Sequence, residues 1–141
     1  MKLVYSKIKK NKLLHLINRL DEINDRTNVA PKNQFLQLAT LKFNKGKTFH
    51  PHKHIWKSPN NEKIIAQESW IIIKGSVKIY MYDIDDKLLD EEILFPGDCS
   101  MTFEGGHTYT MLEEETIVYE YKTGPYNGQS NDKVFIQDHR L

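Results

Sequence analysis

Three histidines, His50, His52 and His54, stand at alternate positions in GKTFHPHKH, residues 46–54. In an extended strand, alternate side chains point to the same face, about 6.5–7 Å apart along it. Two neutral imidazoles at that spacing can lean toward one cation, and imidazole is the commonest side-chain metal ligand. Two further ligand types open nearby strand-like runs: Glu68, at the start of ESWIIIK, and His107, which follows Gly105-Gly106 and opens HTYTML. Three imidazole nitrogens and one carboxylate form a mixed donor set suited to divalent iron, manganese, nickel or zinc. His50 and His54 lie about 13 Å apart along a straight strand, too far for all three histidines to serve one ion unless Pro51 bends it.

Such a set needs a scaffold that brings ligands from separate strands to one point. From Phe35 onward the chain alternates short β-rich runs with turn residues: FLQLATLKF, TFHPHKH, ESWIIIKG, SVKIYMYDI, KLLDEEILF, DCSMTF, HTYTML and TIVYEYK. Breaks fall at Asn44-Lys45-Gly46, Gly75, Asp83 to Asp86, Pro96-Gly97 and Gly105-Gly106. Regular short strands with turns between them predict an all-β sandwich or barrel. WIIIK is apolar on both faces, which predicts cover on both sides. Residues 10–24 read differently. Leu13, Leu16, Ile17, Leu20 and Ile23 fall three and four apart, which predicts a short N-terminal helix packed on the barrel, ended by Asn24, Asp25, Asn28 and Pro31. The reading is therefore a helical segment over 1–34, a barrel over 35–122 and a tail over 123–141. The segment 55–67 is long for a hairpin connection and is expected at the pocket rim. The tail's apolar Val134, Phe135 and Ile136 are expected to pack back on the barrel.

The motifs resemble those of the cupins. Gly46, five residues, then His52-Lys53-His54, followed later by Glu68, six residues and Gly75, matches the first cupin motif in both halves. The gap between the halves, residues 55–67, exceeds the few residues usual in that family. Gly97, five residues, then Phe103-Glu104-Gly105-Gly106-His107 is similar to the second motif, with Phe for Pro and one residue fewer before the histidine. The resemblance covers residues 35–122 and implies a double-stranded β-helix, a jelly-roll barrel. It implies His52, His54, Glu68 and His107 as metal ligands, with Gln67 as a substitute beside Glu68. The strings QESWIIIKGSV and VYEYKTGPYNG also resemble the small WbuC-type cupins of surface-polysaccharide gene clusters. That finer likeness implies a sugar or sugar nucleotide as the small-molecule ligand, and cupins commonly form homodimers.

Around the ligands, parity places Trp70, Tyr109 and Met111 on the interior face with Glu68 and His107. Trp56, Gln67, Tyr119 and Tyr121 complete the candidate pocket lining. Tyr109 and the spare His50 are the candidates for moving a proton. Three function classes follow. One is a metal-dependent isomerase, epimerase or oxygenase. A second is a binding module without turnover. A third is a metal-free sugar-nucleotide isomerase in which His and Tyr act alone.

Composition bounds the rest. A chain of 141 residues is most simply one domain. Its 20 Lys+Arg against 19 Asp+Glu give no global field for nucleic acid or an anionic membrane. Lys7, Lys9, Lys10 and Lys12 read as a solvated basic segment. No run reaches the ~18–20 apolar residues of a membrane span. The basic N-terminus lacks the long apolar run and small-residue cleavage site of a signal peptide. The one cysteine, Cys99, excludes an internal disulfide and is expected as a small buried hydrophobe. The expectation is a cytoplasmic protein.

Overall fold

In the computed structural model, which describes residues 1–140, the chain forms twelve strands. They are β1 (Lys2–Tyr5), β2 (Leu13–Ile17), β3 (Asp25–Asn28), β4 (Leu36–Phe43), β5 (His52–His54), β6 (Glu68–Lys74), β7 (Val77–Tyr82), β8 (Leu88–Leu94), β9 (Cys99–Thr102), β10 (Gly106–Met111), β11 (Thr116–Thr123) and β12 (Lys133–Phe135). Two five-stranded sheets face each other, in the orders β12-β5-β10-β7-β8 and β3-β4-β11-β6-β9. Every pairing is antiparallel. Each of the eight β-rich runs expected from Phe35 onward contains one of the strands β4 to β11.

Turn chemistry fixes the corners. Gly75, at φ +77°, joins β6 to β7. Gly105, at φ +85°, precedes β10, and a Cβ there would lie 2.5 Å from the Tyr82 carbonyl oxygen. Only glycine meets both demands.

Inward side chains alternate with outward ones. On β6, Glu68, Trp70 and Ile72 are buried while Ser69, Ile71 and Ile73 are only half so. Leu41, Ile72, Val77, Met111 and Val118 are fully shielded from solvent and form the core with Ala39, Trp70, Ile79 and Tyr109. Trp70 and Tyr109 stack across the two sheets, with ring centroids 3.8 Å apart and planes 3° from parallel.

The expected N-terminal helix is not formed. β1 and β2 make a hairpin, followed by a single 3-10 turn at Leu20–Glu22 and then β3. The register pairs Val4 with His15 and Tyr5 with Leu13, so Leu14 is skipped. That bulge puts Leu13 and Leu16 on one face despite their three-residue spacing, which imitates a helical stripe. An isolated helix of this length is marginal in water, and pairing with KLVY supplies backbone partners instead. Leu16 and Ile17 of the hairpin line a cavity of about 440 Å³ with Val29, Leu38, Tyr119 and Tyr121, on the outer face of the β3-β4-β11 sheet.

The tail returns to the barrel as β12 and pairs with β5: Lys133 with His54, Val134 with Lys53, Phe135 with His52. Cys99 is exposed, contrary to expectation. It sits on edge strand β9, where Ser100 and Thr102 turn inward and Cys99 and Met101 turn outward. No helix among the described residues is long and apolar enough to cross a membrane.

Candidate metal centre

Cross-strand register assembles the site. β10 pairs His107 with His52, which places the two rings on one face. Their centroids are 4.6 Å apart, and His54 lies 5.5 Å from His52 and 5.7 Å from His107. From the opposite sheet, Glu68 reaches between them. His54 Nε2 is 3.3 Å from Glu68 Oε2, and His107 Nε2 is 3.1 Å from Glu68 Oε1. Trp70 Nε1 donates to Glu68 Oε1 at 3.0 Å. One ligand atom from each of His52, His54, Glu68 and His107 lies within 4.8 Å of all the others, and all four residues are buried. Ligands on opposite sides of one ion stand about 4 Å apart, twice a metal–ligand bond of roughly 2.1 Å, so one cation is within reach of the whole set after small side-chain movements.

The electrostatics single out His52. Burial, reinforced by the neighbouring His107, lowers its pKa to about 2, so its ring is neutral with a lone pair available. Its Nδ1 approaches the His50 carbonyl oxygen at 3.4 Å, while its Nε2 is buried with no hydrogen-bond partner among the described residues. An orphaned buried nitrogen costs about 1–3 kcal/mol, and a metal ion would satisfy it. His54 behaves differently. Burial works against its charge, but Asp132 and Glu68 overcome burial and raise it to about 9. Asp132 Oδ2 stands 3.3 Å from His54 Nδ1. Burial would raise the Glu68 carboxyl, yet His107, His54 and His52 together hold it well below the usual carboxylate range. The donor set and the orphaned nitrogen both fit a divalent ion.

A cavity of about 380 Å³ reaches the cluster at His52 and Glu68 and is lined also by His50, Trp70 and Tyr109; His54 and His107 lie behind its wall. Of the other candidates, Met111 is fully buried in the apolar core and does not reach the cavity. Trp56 is 54% exposed and donates to Glu104 at 3.0 Å, outside the lining. Gln67 is exposed, one residue out of phase with Glu68. Among the described residues, none of 55–67 lines the cavity. That segment closes on itself through a bridge between Lys57 and Ile64.

Tyr119 and Tyr121 lie on the outer face, against the hairpin cavity. The interior positions of β11 are Val118, Glu120 and Lys122, which pair with Ile72, Trp70 and Glu68. Two charges on one face of a strand read as solvent-facing, yet here that face is the interior one, so Tyr119 and Tyr121 do not line the cavity as expected. Glu120 takes a bidentate contact from Arg26, 2.9 Å from Nη1 and 2.5 Å from Nη2.

The candidate proton carriers differ in setting. Tyr109 is buried, and its Oη lies 3.0 Å from Ser100 Oγ. Burial and the Glu68 charge push its phenol far above the ordinary tyrosine range, so it stays protonated. His50 is exposed at the cavity mouth, its ring 5.0 Å from that of Phe135. Asp132 and Lys133 escaped sequence reasoning because the tail gives no hint of its pairing with β5.

No family model matches the chain, and no curated protein matches it. Solved structures do. An uncharacterized conserved protein with a double-stranded β-helix domain from Klebsiella pneumoniae superposes with a TM-score of 0.63 at 13% identity, covering 96% of this chain and 98% of that one. KdgF from Halomonas sp. gives 0.54 at 17% identity, covering 74% and 89%. The capsular polysaccharide assembling protein CapF from Staphylococcus aureus gives 0.59 at 14% identity, covering 72% of this chain but only 28% of its own. The likeness is one of fold. The protein has the double-stranded β-helix fold, and its buried three-histidine, one-glutamate cluster could hold a metal ion.

Proposed function

We propose that the protein is a small metal-binding cupin, with His52, His54, Glu68 and His107 as its ligands, that acts on a sugar or sugar-like molecule held in the cavity that reaches His52 and Glu68. The observation that carries the reading is His52 Nε2: buried, uncharged and unpartnered at the base of a ligand-sized cavity. A bound divalent ion would supply Lewis acidity, or redox chemistry if it is iron or manganese. Asp132 orients His54. Trp70 fixes one oxygen of Glu68. Tyr109 shares a hydrogen bond with Ser100 at the cavity wall, and His50, at the mouth, is the group placed to carry a proton to or from solvent. The likeness in fold to the capsular polysaccharide assembling protein CapF supports a carbohydrate-related role.

Calorimetric titration of chelator-stripped protein with manganese, iron(II), nickel and zinc tests the reading. One high-affinity site per chain, lost in His52→Ala, is expected; no saturable binding would sink it. Incubating the loaded protein with sugars and sugar nucleotides and following products by NMR separates the enzyme from a binding module. Turnover reduced in His50→Ala supports the enzyme, whereas binding without turnover supports the module. A homodimer through the outer sheet faces completes the proposal. Sedimentation at micromolar protein should give the mass of two chains.

A further inference from the structure

We infer that the cavity takes an anionic ligand, a sugar-like molecule bearing a carboxylate or phosphate group, and that Lys133 is the residue that holds its charge. The inference rests on the metal-cupin reading and narrows its substrate class. Six charged side chains line the cavity: Arg26, Lys32, Lys122 and Lys133 against Glu68 and Glu120. Most of them are already engaged. Arg26 forks onto Glu120. Lys122 stands 3.2 Å from Asp132, itself almost fully buried, and lies over the Tyr126 ring. Lys32 is exposed at the rim.

Lys133 is different. Its register partner is His54, whose side chain turns inward, so Lys133 turns inward beside it. It is half-buried, its Nζ lies 5.9 Å from the centre of the Phe135 ring, and it forms no ion pair among the described residues. A cation drawn partly out of water without a counter-ion is unfavourable, and here it is held beside an open cavity. Glu68 cannot balance it once an ion is bound. A divalent cation on three neutral imidazoles and one carboxylate keeps a positive charge of its own. The centre and Lys133 then present two uncompensated positive charges to one cavity, which His52 and Glu68 of the centre both line. Asn28 and Gln129, on the cavity wall, make no side-chain hydrogen bonds among the described residues and are available to sugar hydroxyls.

The test is calorimetry of the metal-loaded full chain with glucuronate, glucose 1-phosphate and glucose, on wild type and Lys133→Met. Methionine keeps the apolar stem and removes the charge; Lys133→Gln serves if that variant does not fold. At least one anion should bind tighter than glucose. Its affinity should fall about tenfold or more in the variant, the size of one lost charge-assisted contact. The better anion tells carboxylate from phosphate. Glucose binding as tightly as the anions, no binding of either anion, or undiminished anion affinity in both variants overturns the inference. Metal content measured on the same samples tests the metal reading separately, since an anion preference can be read with or without a bound ion.

Discussion

Along three strands the inward side chains change character step by step. They run Ile72, Trp70, Glu68 on β6; Met111, Tyr109, His107 on β10; and Val118, Glu120, Lys122 on β11. One end of the sandwich is a sealed apolar core of side chains at or near zero exposure. The other end gathers buried ionisable groups, among them the unpartnered His52 Nε2. A shift of two to four residues along the same strands exchanges one environment for the other, with the Trp70–Tyr109 stack at the border. The closed end stabilises the fold, and that surplus lets the open end keep groups that lower stability and serve binding.

Substitutions at the two ends should therefore behave oppositely. Ile72→Ala should cost about 2–5 kcal/mol in denaturant unfolding, with metal affinity of the folded protein unchanged. His52→Leu should weaken metal binding by about 100-fold or more. The same change should leave the metal-free protein as stable as before, or about 1 kcal/mol more so, because it removes an unpartnered buried nitrogen. A large loss of metal-free stability in His52→Leu would break the contrast. Asp132→Asn should weaken metal binding by about 10-fold or somewhat more, since Asp132 orients His54 and draws proton density from it; a competition assay with a chromophoric chelator reads this.

The pH dependence sharpens the comparison further. In the metal-free protein His54, raised to about 9, carries a proton at neutral pH that the ion must displace. Apparent metal affinity should rise about tenfold per pH unit between pH 7 and 9 and level off above. The stability of the metal-free protein should move the other way. With a folded pKa above its usual 6.5, the His54 contribution is full below 6.5 and is lost as the pH rises through 9. Ile72→Ala should show the same pH profile at lower overall stability, because the apolar end titrates nothing.

Much of the barrel was legible because strand signals are local: alternation, β-branched runs, and glycines at corners such as Gly75 and Gly105. His52, His54, Glu68 and His107 were legible because two of them sit two apart on one strand and the other two open strands after recognisable turns. What escaped depends on long-range pairing. Leu13 and Leu16 imitate a helix only because the register skips Leu14. Glu120 and Lys122 face inward because their partners are Trp70 and Glu68, a fact with no signature inside TIVYEYK. Asp132 and Lys133 join the site through a strand of three residues whose partner lies about 80 residues earlier in the chain.

Anomalous scattering from crystals of the protein purified without chelators, collected at the absorption edge of the metal found by elemental analysis, tests the central claim most directly. The account predicts one strong peak per chain, about 2.0–2.3 Å from a nitrogen of each of His52, His54 and His107 and an oxygen of Glu68. Crystals of metal-supplemented protein with no peak among these four side chains, or with the ion held only at the surface, would contradict it.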